Sequence, residues 1–290
     1  MKRSIERLHN LTKRNAEPSE YLPILKILVG NVRCLKATTL LTDIFYRGRP
    51  NEVGRLFNNI SELTYPKKEI VKKKNRLNDI GETILYASNG ELGTIIEMDL
   101  ERYSFFTISK IRMIDKEIHF VFIGIPGKDY SPIPNTRAEE LVLNYFDGEL
   151  TKTVNDHNEY NSTIALAHLF LDDPVINTKM GKMAGIIYPS AKSKIVSNKV
   201  TYNIAIQTDI FDSFFKFEEI YVYTMTLETH HPQVKEKFWQ MTGVNKVRKI
   251  NDDGSLEWLF DFEEMKDRVS KGLIVEGGTC DNLRYMSDNL

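Results

Sequence analysis

Cysteine is almost missing from this 290-residue chain: Cys34 and Cys280 are its only two, far apart and in no C-x-x-C spacing. A cysteine zinc module is thereby excluded, there is no sign of a disulfide framework, and a reducing compartment is the simpler setting. An excess of either charge is missing as well, since 39 basic residues stand against 40 acidic ones. A surface built wholly for nucleic acid would be basic. The apolar stretch YLPILKILVGNV from Tyr21 is interrupted by Lys26 and is too short to span a bilayer. The basic start Met1-Lys2-Arg3 leads into polar residues through Glu20, where a signal peptide would be apolar. A cytoplasmic chain with no membrane partner is expected. Its sequons at Asn10, Asn59 and Asn161 are then chance matches.

Several signature motifs are also absent. Without G-x-G-x-x-G or G-x-x-x-x-G-K-[ST] there is no support for a Rossmann site or a P-loop. No G-x-S-x-G elbow occurs. His230-His231 runs into Pro232, and His9, His119, His157 and His168 are scattered, so no zinc-hydrolase pattern forms and no metal is expected. Internal repeats and low-complexity tracts are missing too.

What is present reads as a globular α+β chain, 41% hydrophobic and 27% charged, long enough for one large domain or two small ones. Ile5, Leu8 and Leu11 predict a short amphipathic helix over 4–15 that Ser4 would cap, and Ser19 would start the next. Apolar residues from Tyr21 to Leu41 predict further helix, interrupted at Gly30. Phe45 and Tyr46 predict a strand that Gly48 and Pro50 end, placing Arg47 at its end. Residues 51–75 form a loop-rich excursion, closed by Lys67, Lys68, Lys72, Lys73 and Lys74. Such a run is usually a solvated face, although it would also steer an anionic ligand.

Thr83–Ala87 predicts a buried strand after a turn at Asn78–Gly81, and Glu91–Met98 a short helix or helix-to-strand passage. Further strands are expected at Tyr103–Ile108, Glu117–Ile125, Ala184–Tyr188, Tyr202–Gln207, Ile220–Leu227 and Leu256–Phe260. Helices are expected at 136–147, 159–171, Gln233–Gln240 and after Asp261. The implied organisation is a helical region over 1–44, a central domain over 45–230 that carries the candidate site, with inserted helices near 135–171, and an α/β extension over 231–290.

The candidate chemistry lies in short words along this chain. Tyr46-Arg47-Gly48-Arg49 comes first, then Asn75-Arg76-Leu77-Asn78 with Gly81, Leu85-Tyr86-Ala87-Ser88, and Glu97. Tyr188-Pro189-Ser190-Ala191 and Tyr202-Asn203-Ile204-Ala205 follow far downstream. Taken singly, Arg47 reads as a surface arginine, Tyr86 as a core tyrosine and Ser190 as a turn serine. A lone acid such as Glu97 among apolar neighbours is either at an edge or partly buried with a purpose.

In order and spacing, these words resemble the RES-domain family, named for its Arg, Glu and Ser residues. The resemblance covers roughly Tyr46 to Ile206. It implies an ADP-ribosyltransferase-like fold, with split antiparallel β-sheets and flanking helices around a cleft for NAD. It also implies degradation of NAD by phosphorolysis or hydrolysis, as in toxins of toxin–antitoxin pairs, or else ADP-ribosylation of a protein. Inorganic phosphate would be one acceptor, and a helix-turn-helix antitoxin or another inhibitory protein would be the partner. Association with further copies of the chain stays open.

Carried onto this chain, the resemblance assigns Arg47 and Arg76 to phosphate, with Arg49 and Tyr46 assisting, and Tyr86 to the nicotinamide side. Glu97 would support the ribose, Ser190 would hydrogen-bond the ligand or Glu97, and Asn203 would either contact the ligand or serve a structural role. The residue types suit this: arginine grips phosphate oxygens bidentately. Nicotinamide on ribose is already a cationic leaving group, so its departure through an oxocarbenium-like state needs a carboxylate and no metal. The reading from another class is a non-enzymatic polyanion-binding module that uses the Lys67–Arg76 basic loop, although nucleic acid is not the expected partner.

Overall fold

The computed structural model describes residues 1–30, 32, 36–37, 42–98, 105–115, 118–123, 134, 136–154, 156–180, 182–191, 201–228, 237–273 and 283–285. The chain opens with α1 (Lys2–Lys13) and α2 (Pro18–Val29). The apolar spacing buries Leu8 and Leu11, as an amphipathic helix requires. Neither expected serine cap is used. Met1 holds the N-cap of α1, and Glu17 with Glu20 forms the capping box of α2, where Pro18 suits the first turn because it lacks an N–H. Helix α2 stops at Gly30, and Lys36–Ala37 is a strand, β1, where helix was expected. Residues 31, 33–35 and 38–41 of that stretch lie outside the described residues.

Strands β2 (Ile44–Pro50) and β3 (Ile84–Ser88) flank the loop-rich excursion, and α3 (Glu91–Met98) follows at once. Next come β4 (Phe105–Met113) and β5 (His119–Phe122), then α4 (Arg137–Thr151), α5 (Asn161–Ala167) and α6 (Pro174–Met180). The single helix expected over 159–171 is instead a 3-10 turn at His157–Tyr160, then α5, then a π-helical turn at His168–Asp172. Strands β6 (Met183–Pro189) and β7 (Tyr202–Gln207) lead to α7 (Thr208–Phe214), β8 (Phe215–Glu228) and β9 (Lys237–Ile250). The chain closes with β10 (Leu256–Trp258), α8 (Phe262–Ser270) and β11 (Leu283–Tyr285).

The expected helix at Gln233–Gln240 is overturned over 237–240, where β9 begins and pairs antiparallel with β8. A partner strand outweighs a weak local preference there. Residues 233–236 lie outside the described residues, as do Tyr103, Ser104, Glu117, Gly124 and Ile125 of two other expected strands and the Pro126-Gly127 stop.

Eleven described strands join in one sheet of order β1-β5-β6-β7-β3-β2-β4-β8-β9-β10, with β11 beside β9. Pairing is antiparallel except between β5 and β6. The sheet continues across both 44/45 and 230/231, because β1 pairs with β5 and β8 with β9. One junction is nearly open. Strand β2 meets β4 from Ile44↔Arg112 to Pro50↔Phe106, but it meets β3 only at Tyr46↔Ser88. Two leaves therefore diverge from a single rung, in place of two separate sheets.

The leaf β5-β6-β7-β3 is packed on both faces, and its second cluster reaches across to β2 and β4. Helices α1, α2, α4 and α5 bury Leu8, Leu25, Phe146 and Leu166 in one cluster with Ile186 and Tyr188 of β6. Opposite, Phe45, Phe120, Ile204, Phe211 and Phe215 pack together. Helix α3 contributes Ile95 to a smaller cluster with Phe106, Ile108 and Tyr223. Among the described residues no helix is long and apolar enough to cross a membrane.

Candidate functional site

Where β2 and β3 part, a cavity of about 450 Å³ opens, within the range of small-molecule sites. Tyr46, Arg47 and Gly48 of β2 line it, with Tyr86, Ala87 and Ser88 of β3. Thr94, Glu97 and Met98 come from α3, Asn75 and Arg76 from the turn before β3, Tyr160 from the 3-10 turn at His157–Tyr160, and Tyr188 and Asn203 from β6 and β7. The wall thus carries two guanidinium groups, one carboxylate and four tyrosines, a composition suited to an anionic ligand with aromatic parts.

Glu97 is aimed by its helix. Asn89 joins the start of α3 to β7, its N–H donating to the Tyr202 carbonyl (3.0 Å) and its Oδ1 accepting from the Tyr202 N–H (2.9 Å). One turn before Glu97, the Thr94 hydroxyl donates to the Tyr46 carbonyl at 3.0 Å. Small residues permit this close approach. A Cβ on Gly48 would lie 2.2 Å from Met98 Sδ and 2.7 Å from Thr94 Cγ2, and one on Gly93 would lie 2.5 Å from Ser88 Oγ. Glu97 Oε1 then accepts from the Ser190 hydroxyl and, at 2.9 Å, from Asn203 Nδ2. Ser190 is fully buried just beyond β6, and its N–H donates to the Thr201 carbonyl at 3.0 Å. Asn203 faces Tyr188 in the β6/β7 ladder. A half-buried carboxylate is thereby fixed in orientation by donors more than 90 residues away in the chain.

Arg47 lies in the middle of β2, not at its end, and it bridges the parting of the sheet. Its Nη1 donates to the Tyr86 carbonyl on β3 at 2.6 Å, while Nε and Nη2 donate to the Leu63 and Thr64 carbonyls at 2.9 Å. Burial, and then the neighbouring Arg49 charge, pull the guanidinium pKa down to about 9. A cation that faces carbonyls and another cation favours an incoming anion. Arg49 is placed otherwise: it donates to the Thr64 carbonyl at 3.0 Å and does not line the cavity.

Tyr86 ties the strand to the turn. Its hydroxyl donates to Asn78 Oδ1 at 2.8 Å and accepts from the Leu77 N–H at 3.0 Å, while burial raises its pKa. Arg76 donates through Nη2 to the Lys152 carbonyl at 3.2 Å and lies 5.2 Å from the Tyr160 ring centre. Its Nη1 is buried with no hydrogen-bond partner. The basic run is not one exposed face. Lys67, Lys68, Lys72 and Lys73 are exposed, but Lys74 is buried and donates to Asn161 Oδ1 at 2.8 Å.

The fold therefore places Tyr46, Arg47, Arg76, Tyr86, Glu97 and Asn203 on one cavity, with Ser190 holding Glu97 from behind and Arg49 outside. Tyr160, Tyr188, Thr94 and Asn75 join them without having been expected as site residues. Tyr188 carries a sequence signal, since it stands beside Ser190 in one word; Tyr160 carries none. Among the described residues no group of three or more His, Cys, Asp or Glu is placed to hold a metal ion. In comparison with known proteins, no family model, no curated protein and no solved structure matches the chain.

Proposed function

We propose that this cavity binds NAD and cleaves its nicotinamide–ribose bond, passing ADP-ribose to phosphate or water. The observation that carries the reading is the convergence of Glu97, its donors Ser190 and Asn203, and the two arginines on one recess. The parting of the sheet at β2/β3 supports an ADP-ribosyltransferase-like cleft as its setting.

Arg47 and Arg76 would take pyrophosphate oxygens or an attacking phosphate, and Tyr86 would pack on the nicotinamide side. The C1′–N bond breaks with its electron pair leaving on nicotinamide, which departs neutral. The ribose passes through an oxocarbenium-like state, and an oxygen of phosphate or water forms the new C1′–O bond, water releasing a proton. Glu97 stabilises the developing cation and orients a ribose hydroxyl. Because Ser190 and Asn203 already hold the carboxylate, little reorganisation opposes this step.

Purified protein incubated with NAD, with and without phosphate, should release nicotinamide, and the second product identifies the acceptor. Glu97→Gln should lower the rate by about 10²–10³-fold with the fold intact. If wild-type protein releases no nicotinamide and transfers no label to protein, the reading is wrong.

A further inference from the structure

Arg76 stands at the end of a short arm, Lys74-Asn75-Arg76, and the inserted segment 152–163 grips that arm along its length. The Lys152 carbonyl accepts from Arg76 Nη2, and the Tyr160 ring covers the guanidinium. The Thr163 hydroxyl donates to the Arg76 carbonyl, and His157 Nδ1 donates to the Lys74 carbonyl at 2.9 Å. Asn161, only 2% exposed, accepts from Lys74 Nζ at 2.8 Å. The same Asn161 side chain donates through Nδ2 to the Ala16 carbonyl at 2.9 Å, at the junction of α1 and α2. One buried amide thus ties the arm to the N-terminal helices.

This arrangement has a directional consequence. Arg76 lines the cavity, and its Nη1 is buried with no hydrogen-bond partner. The guanidinium meets an anion at a useful angle only while its plane is held. The strand wall cannot hold it, because Arg76 lies on a turn. We infer that Tyr160 and Asn161 are positioning residues that set Arg76 for the anionic part of the ligand, and that α1–α2 act through Asn161 as the support of this device. The inference takes its ligand, though not its geometry, from the reading of the cavity as an NAD site. On this view the N-terminal helices sustain the site and do not restrain it. A partner that drew them away would slacken Arg76 and leave Glu97 in place.

The test titrates the full chain with pyrophosphate and, in parallel, assays nicotinamide release from NAD, for wild type, Tyr160→Leu, Tyr160→Phe and Asn161→Leu. Tyr160→Leu and Asn161→Leu should each weaken pyrophosphate binding and raise KM by about tenfold, the loss expected for one charge-assisted contact. The kcat should stay near that of wild type. Tyr160→Phe keeps the ring face and should restore most of the affinity. An unchanged Kd and KM in Tyr160→Leu overturns the inference, and so does a fall in kcat with KM unmoved. Should Asn161→Leu fail to fold, the Tyr160 pair on the cavity wall decides. Wild type that binds pyrophosphate but releases no nicotinamide overturns the proposed reaction, while the variants still decide the positioning role. Wild type that binds no pyrophosphate yet releases nicotinamide overturns the positioning role and leaves the reaction standing, and wild type that does neither overturns both.

Discussion

Arg47 and Arg76 reach the same cavity from opposite kinds of wall. Arg47 sits mid-strand, and three of its nitrogens are fixed by backbone carbonyls of β3 and the excursion loop. Arg76 sits on a turn, held through one carbonyl and one ring of an inserted segment, with a buried N–H to spare. The first arginine closes a gap in the sheet and would meet the proposed ligand as part of the framework. The second is free to be a ligand group, but only because other parts of the chain aim it. Identical residue types thus carry different shares of stability and recognition.

The largest expected effect lies on the strand wall. Arg47→Ala leaves the Tyr86, Leu63 and Thr64 carbonyls without this donor and should cost about 3 kcal/mol in urea unfolding. Arg47→Lys should not restore it, since one ammonium cannot span carbonyls on two segments. If Arg47→Ala is as stable as wild type, the sheet does not depend on this bridge. On the turn wall the balance reverses. Arg76→Ala should lower kcat/KM for NAD by about 10–100-fold, the worth of one charged contact to phosphate. Its unfolding midpoint should stay close to that of wild type, and a large loss of stability would erase the contrast between the walls.

The smallest effect concerns pH and again separates the walls. His168 Nε2 donates to Glu82 at 2.8 Å, and Glu82 accepts in turn from the Asp79 N–H of the turn at 2.7 Å. The Glu82 hydrogen bond raises the His168 pKa above 6.5 against burial, and Asp172 and Asp79 add to the rise. Burial, the largest single influence, pushes the Glu82 carboxyl up, but the His168 hydrogen bond, the Asp79 N–H and the His168 and Lys68 charges together outweigh it, and the net pKa falls below 4.5. The His168 contribution is complete below its unfolded value and is lost as pH rises through the folded one. The Glu82 contribution is present above its unfolded value and is lost as pH falls through the folded one. The stability gap between wild type and His168→Ala should therefore be widest near about pH 5.5 and shrink by about pH 8.5. A gap that widens with pH would remove this pair from the turn wall.

Much of the strand wall is legible in the sequence. Alternation and breakers mark β3, β6 and β7, and Asn89-Gly90 marks the start of α3. Tyr86, Glu97, Ser190 and Asn203 therefore fall in words whose elements follow from local pattern. The turn wall is far less legible. Tyr160 lies at the edge of a stretch with the composition of polar linker and helix, and Lys74 lies in a run with the composition of a solvated face. Their roles depend on contacts across 84 and 87 residues of chain, which no local period encodes. Arg49 misleads for a simpler reason. It shares a strand face with Arg47, and both donate to the Thr64 carbonyl, but Arg49 does not line the cavity.

By itself, the sequence determined the local elements and the chemical inventory: amphipathic helices, alternating strands, two arginines, one acid and several tyrosines with no metal set beside them. These follow from periodicity and residue type, which act over a few residues. Only the tertiary structure decided that β2 and β3 share a single rung, that Arg47 fills the resulting gap, and that an inserted helix start holds Arg76. Those outcomes rest on which buried donors and carbonyls find one another once distant segments pack, and that is settled by the whole chain at once.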